Sequence, residues 1–316
     1  MEKFLRQLQS LDRRWIYLVL SIVLIITLIK SYPDKPIVLP SVQHFYDAVD
    51  QAPAGPGQGK IILVNTLFAA GTIAENGTQM RSLVRHLMLT HKRFATISVG
   101  EPQGATYGPA IAGDLAKQYG YEYGKDWIDF GYQFNTLAFF MSFPRDIPGQ
   151  IKTDGQENKP ITSFPIMQGI RNINDVAMHV EITASASVYD WMQYVQPKSN
   201  PRLPIGYACT GVMAADAYPY LDSGQLIGMM PGLKGASDYE ALVDKLQTQE
   251  EAAGHVKHHY DPNAITSIPA FPPPARNLMY SQSAAHIVII LFIIFGNVGL
   301  LLSRRLAKKS AAKEEA

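Results

Sequence analysis

The sequence predicts an α/β domain on a mainly parallel layered sheet, set between two transmembrane helices. Three observations lead there. Two long uncharged apolar stretches lie near the ends, basic clusters flank them on their outer sides, and six short apolar runs between them alternate with helical patterns. With 316 residues, 47% hydrophobic and 17% charged, the chain is neither disordered nor collagen-like. Its single cysteine, Cys209, excludes an intramolecular disulfide.

Residues 15–32 are apolar and uncharged from Trp15 to Ile29, and residues 284–302 form the second apolar stretch. A span takes about 20 residues. The first stretch reaches that length only with its flanks, where Trp15 and Tyr17 suit one interface and Lys30 and Tyr32 the other. A cleaved signal peptide is the alternative, but Lys-Ser-Tyr-Pro offers no small-x-small cleavage site. For the second stretch the alternative is a buried core helix, opposed by the basic stop signal Arg304-Arg305 and Lys308-Lys309. Residues 1–32 carry five bases and two acids, and so do residues 284–316. The middle holds 18 bases against 23 acids, a net −5. The positive-inside rule then places segments 1–14 and 303–316 in the cytoplasm. It puts residues 33–283 outside, as a periplasmic or extracellular body on a two-pass protein of the cell membrane. An acidic body without a basic cluster argues against nucleic acid as a partner. Gly296, Asn297 and Gly299 offer a close helix–helix contact in the second span, to the first span or to another subunit.

A linker, 33–59, holds Pro33, Pro36 and Pro40, a helix around Val42–Val49 and the flexible Ala52–Gly59. The α/β domain is expected over 60–261. Its first strand is the apolar run 60–66, bounded by glycine as in a strand buried on both faces. A helix follows at 78–92, with Met80, Leu83, Val84, Leu87 and Met88 on one face. Strands at 93–100 and 127–132 flank a helix at 107–119. A helix at 136–143 and a polar loop at 144–160 precede strands at 178–184, 203–210 and 225–230, with helices at 188–195 and 214–221 between them. Ser237 and Glu240 read as a capping box opening a helix over 237–253. Residues 262–283, with PAFPPPAR, read as a semi-rigid spacer. The alternation predicts a Rossmann-like, doubly wound sheet.

Ligands of such sheets bind at the carboxyl ends of the strands. Those ends supply the candidate rim Asn65, Thr66, Glu101, Ser185, Thr210 and Gly211. The segment 100–109 looks like a loop feeding a helix N-terminus. Residues Ala208, Cys209, Thr210 and Gly211 are similar to the Ala-Cys-x-Gly around the nucleophile of caspase-like cysteine peptidases. That resemblance implies a cysteine nucleophile after a parallel strand and a histidine base ending the preceding one. Here that strand ends Thr183-Ala184-Ser185, and its histidine, His179, sits at the other end, so an inert buried thiol is expected. His255 and His259, four apart on the last helix, are the candidate metal pair. Asn76-Gly-Thr78 matches the glycosylation acceptor pattern.

No G-x-S-x-G, P-loop spacing or G-x-G-x-x-G is present, so no catalytic set and no cofactor is predicted. The expected role is a binding or scaffolding domain held by two anchors. Its partners are then the lipid bilayer and other membrane subunits, or further copies of itself. The alternatives are an extracytoplasmic hydrolase using Cys209 or Glu101, and a ligand-sensing subunit.

Overall fold

The computed structural model describes residues 13–29, 37–256 and 259–314. The segment before residue 13, Lys30, Tyr32, Pro33, Pro36 and His258 lie outside the described residues. The chain divides into two units, residues 34–276 and residues 1–33 with 277–316. Helix α1 (Arg13–Ile29) belongs to the second of these, and helix α2 (Pro40–Gln51) opens the first.

Six strands form one sheet: β1 (Ile61–Leu67), β2 (Phe94–Val99), β3 (Trp127–Gln133), β4 (Val176–Thr183), β5 (Ile205–Cys209) and β6 (Gly228–Pro231). The order is β3-β2-β1-β4-β5-β6 and every neighbouring pair is parallel, a Rossmann-like arrangement. All six predicted strands form, each within a few residues of its expected bounds. Their apolar runs are buried because helices cover both faces. Helices α3 (Thr78–Leu89) and α4 (Gly104–Tyr119) follow β1 and β2. With α2 they cover the face that carries Ile62, Val64 and Met178. The other face, with Leu63, Ile97 and Phe130, is covered largely by the long connection from β3 to β4. That connection holds α5 (Leu137–Ser142) and α6 (Ile147–Gln150). Its stretch 144–160 is less polar than expected, since Ile147 and Ile151 are buried in the core. Helix α7 (Val188–Asp190), continued by a π-turn (Trp191–Val195), and helix α8 (Ala214–Asp222) complete that layer. Strand order reverses between β1 and β4, which makes their carboxyl ends the topological switch point.

Helix α9 (Gly232–Ala252) starts five residues before the expected capping box. Gly232, with φ +54°, turns the chain directly from β6 into the helix. Ser237 therefore lies inside α9, and Glu240 is free for other work. The Pro-rich stretch after α9 packs along the domain. Asp114 Oδ2 accepts from the amides of Thr266 and Ser267 at 2.9 and 2.7 Å. Arg81 donates to the carbonyls of Pro272 and Pro273 at 3.0 and 3.2 Å. Glu240 Oε2 accepts from Arg276 N at 3.1 Å. This strap also buries Ile265 and Ile268.

Helix α10 (Ala275–Glu314) ends the chain. Over Ala275–Arg305 it is long and apolar enough to cross a membrane, with Ile287, Ile290, Ile293 and Phe295 exposed. The first expected span, 15–32, is not matched in length. Helix α1 has 17 residues, about 25 Å at 1.5 Å per residue, against a hydrocarbon core of about 30 Å. One helix of spanning length is therefore found among the described residues, not two. Gly299 is buried, whereas Gly296 and Asn297 are exposed.

Strand β3 carries a buried carboxyl, Asp129, which accepts from Thr96 Oγ1 at 2.8 Å and Gln156 Nε2 at 3.2 Å. Burial pushes it up to about 6, outweighing those hydrogen bonds. A raised acid favours the folded state only while protonated. Its contribution is complete below the unfolded value near 4 and is lost as pH rises through about 6. Two units correspond to about 3 kcal/mol. Asp129→Asn, neutral at every pH, is expected to melt higher than the parent at about pH 7.5. The two should melt together at about pH 4. Thermal unfolding of the full chain at both pH values checks this, and equal melting at the higher pH would refute it.

Candidate functional site

The switch point is filled by a polar network that the chain makes with itself. Asn65 on β1 and Glu181 on β4 are register partners on the same side of the sheet. Asn65 Nδ2 donates to both Glu181 oxygens at 3.0 and 2.9 Å, and its Oδ1 accepts from Val99 N at 3.0 Å. His179, two residues before Glu181 on the same face, brings Nε2 within 2.9 Å of Glu181 Oε2. Its ring stacks on Trp191 with centroids 3.9 Å apart. Ser187 Oγ donates to Glu181 Oε1. Asn65, His179 and Glu181 are each fully buried. A carboxylate so deep is tolerable only because several donors converge on it. His179 must carry its proton on Nε2 to serve as one of them, and its Nδ1 then has no partner among the described residues.

From this buried centre hydroxyls lead outward. Ser187 Oγ lies 3.4 Å from Thr183 Oγ1, and Thr183 Oγ1 lies 2.9 Å from the hydroxyl of exposed Ser185. Glu181 and Ser187, which sequence reading passed over, and His179, which it set aside as a base, thus connect two of the rim residues it chose, Asn65 and Ser185. The signal was present. A glutamate inside an otherwise apolar strand, Met178-His-Val-Glu-Ile-Thr183, must find partners if that strand is buried on both faces.

The other rim candidates are dispersed. Thr66 is buried, and its hydroxyl contacts the carbonyls of Ile97 and Gly104 at 3.1 and 3.0 Å, so it ties α4 to the sheet. Half-buried Glu101 accepts from Gln103 N at 3.0 Å and serves the start of α4. Thr210 is buried, with no hydrogen bond to its hydroxyl among the described residues. Exposed Gly211 donates its amide to Glu75 Oε2 at 2.8 Å, a rim carboxylate absent from the sequence reading.

Cys209 is fully buried. Burial, then the nearby Glu75 charge, pushes its thiol up to about 12. A thiol held that high is protonated at neutral pH and is no nucleophile. The helical face expected for His255 and His259 is not formed. Helix α9 ends at Ala252 and Gly254 turns with φ +74°. Each histidine faces its own glutamate, His255 with Glu250 at 2.8 Å and His259 with Glu251 at 3.2 Å. No group of three metal-ligating side chains gathers among the described residues. Asn76 is fully buried in the π-turn before α3, out of reach of a glycosyl transferase.

Beside exposed polar residues such as Asn135, Ser185 and Asp216, the carboxyl edge also exposes large apolar side chains. Phe134 and Leu137 beyond β3, and Val212 and Tyr218 beyond β5, are 73%, 58%, 85% and 44% exposed. Comparison with protein-family models, with curated proteins and with solved structures finds no match to this chain.

Proposed function

We propose that this chain is a two-pass membrane protein whose α/β domain works outside the cytoplasm as a binding or scaffolding module in a larger membrane assembly. The observation that carries the reading is the carboxyl edge. Phe134, Leu137, Val212 and Tyr218 stand in solvent where an enzyme of this architecture would hold its polar machinery. The buried network beneath them supports the same reading. Glu181 takes its hydrogen bonds from within the chain and braces the edge, and the one thiol is buried. In the two-pass reading α1 completes its span with flanking residues, and the basic ends stay in the cytoplasm.

The test is extraction of the full chain in mild detergent, followed by crosslinking and sizing. The reading expects either a stable complex with other membrane proteins or an oligomer, lost in a Val212→Asp, Phe134→Asp variant. A lone monomer at every concentration sinks it. Protease added to intact cells should cut residues 37–276; protection there with cleavage in inside-out vesicles reverses the topology.

A further inference from the structure

The amino edge of the sheet, opposite the rim, carries a cleft of about 530 Å3. One wall includes the tripeptide His91-Lys92-Arg93 between α3 and β2. Helix α3 ends there in a double backbone closure, His91 N to Met88 O at 3.2 Å and Lys92 N to Leu87 O at 2.8 Å. That closure needs a left-handed residue, a place where glycine is least costly. This chain puts His91 there, at φ +52°. The strained backbone thus sets an imidazole on the cleft wall beside two cations.

Those cations are half-buried and form no direct ion pair among the described residues. Lys92 Nζ donates to Ala52 O at 2.8 Å, and Arg93 donates its amide to Ala54 O and its guanidinium to Ile166 O. Neither meets a carboxylate within ion-pair distance among the described residues, and burial pushes both below their usual ranges against the weaker pull of Asp50 on Lys92 and of Asp126 on Arg93. The domain treats its other buried cations differently. Arg81 has Glu240 at 3.0 Å and Arg85 has Asp244 at 2.8 Å. Carboxylates are in surplus in residues 33–283, yet none is bonded to this pair. Lys125 adds a third cation from the facing wall, paired at 3.0 Å with Glu122. Asp126 also lines the cleft, with Oδ2 taken by the amide of Glu122.

We propose that this cleft binds a small soluble phosphorylated compound, its phosphate held between Arg93 and Lys92 with Lys125 closing from the other side. An oxyanion supplies a charged acceptor where these guanidinium and ammonium groups have only backbone carbonyls, and guanidinium suits it in bidentate geometry. The volume lies in the range of small-ligand sites and exceeds a bare phosphate, so the phosphate is carried on a larger body. This assignment is independent of the assembly role proposed for the opposite edge.

The test titrates the full chain in neutral detergent with pyrophosphate, by calorimetry and by thermal shift. Binding that weakens with salt and raises the melting temperature is expected. Lys125→Gln, on an exposed side chain, should weaken it severalfold, and Arg93→Gln by about tenfold or more, the worth of a charge-assisted bond. Because Arg93 also braces Ile166, Lys92→Met serves as the second interior variant. Pyrophosphate binding no tighter than about 1 mM overturns the assignment, as does binding that all three variants retain in full. A short-chain phosphatidic acid distinguishes a lipid headgroup. If it binds where pyrophosphate does not, the soluble ligand is refuted.

Discussion

Replacing Arg81 by leucine is expected to lower the stability of the full chain by about 3–5 kcal/mol and to free the strap before the domain itself unfolds. Arg81 is fully buried, and its guanidinium meets Glu240 Oε1 at 3.0 Å, the carbonyls of Pro272 and Pro273, and the ring of Phe271 at 5.5 Å. Leucine leaves Glu240, 2% exposed, as a buried charge whose remaining donor is the Arg276 amide. It also strands two carbonyls. A whole domain is stable by about 5–15 kcal/mol, so the change is a large share of the total. Thermal unfolding measures the loss, and limited proteolysis should cut within 262–274 earlier than elsewhere. The pair Arg81→Leu, Glu240→Leu separates charge from strap. It should regain much of the stability, because no unpaired charge remains, yet keep the strap open to protease. A single variant that melts with the parent would show that the strap is held by Ile265, Ile268 and prolines alone.

Arg81 also shows where sequence reading stops. The strands were legible because burial on both faces makes each a continuous apolar run, and six such runs between helical patterns admit few topologies. Helix starts were less so. Ser237 and Glu240 have the spacing of a capping box, but Pro231-Gly232 already turns the chain into α9, and Glu240 binds Arg81 instead. The Pro-rich stretch has the composition of a free spacer. Its clamps to Asp114 and Arg81 reach 152 to 192 positions along the chain, and no local pattern encodes them. The candidate site divides in the same way. Asn65 and Ser185 were visible as polar strand ends, whereas their link through Glu181 and Ser187 depends on β1 lying beside β4. His255 and His259 failed for a local reason, since Gly254 ends the helical spacing that would bring them together.

Gly104→Ala should be the most damaging methyl group in the domain. A Cβ at Gly104 would lie 1.8 Å from the backbone oxygen of Thr66 and 2.8 Å from Ser98 Oγ. The first of these is backbone, so no rotamer change relieves it. Thr66 O is already committed to the Ser98 hydroxyl, and the Thr66 hydroxyl to Gly104 O. Moving α4 outward would break both and lift Gly108, which rests on the Thr66 side chain one turn later. A loss of about 3 kcal/mol or more is expected. Gly71→Ala is the matched control, with open space around its Cβ and no positive φ. It should change stability by less than about 1 kcal/mol, toward greater stability. Equal melting of the two variants would refute the contact. The comparison also bears on function. In dinucleotide-binding sheets, glycines at the strand ends admit a pyrophosphate. Here the space Gly104 leaves is filled by the chain's own carbonyl, so this glycine serves helix–sheet contact.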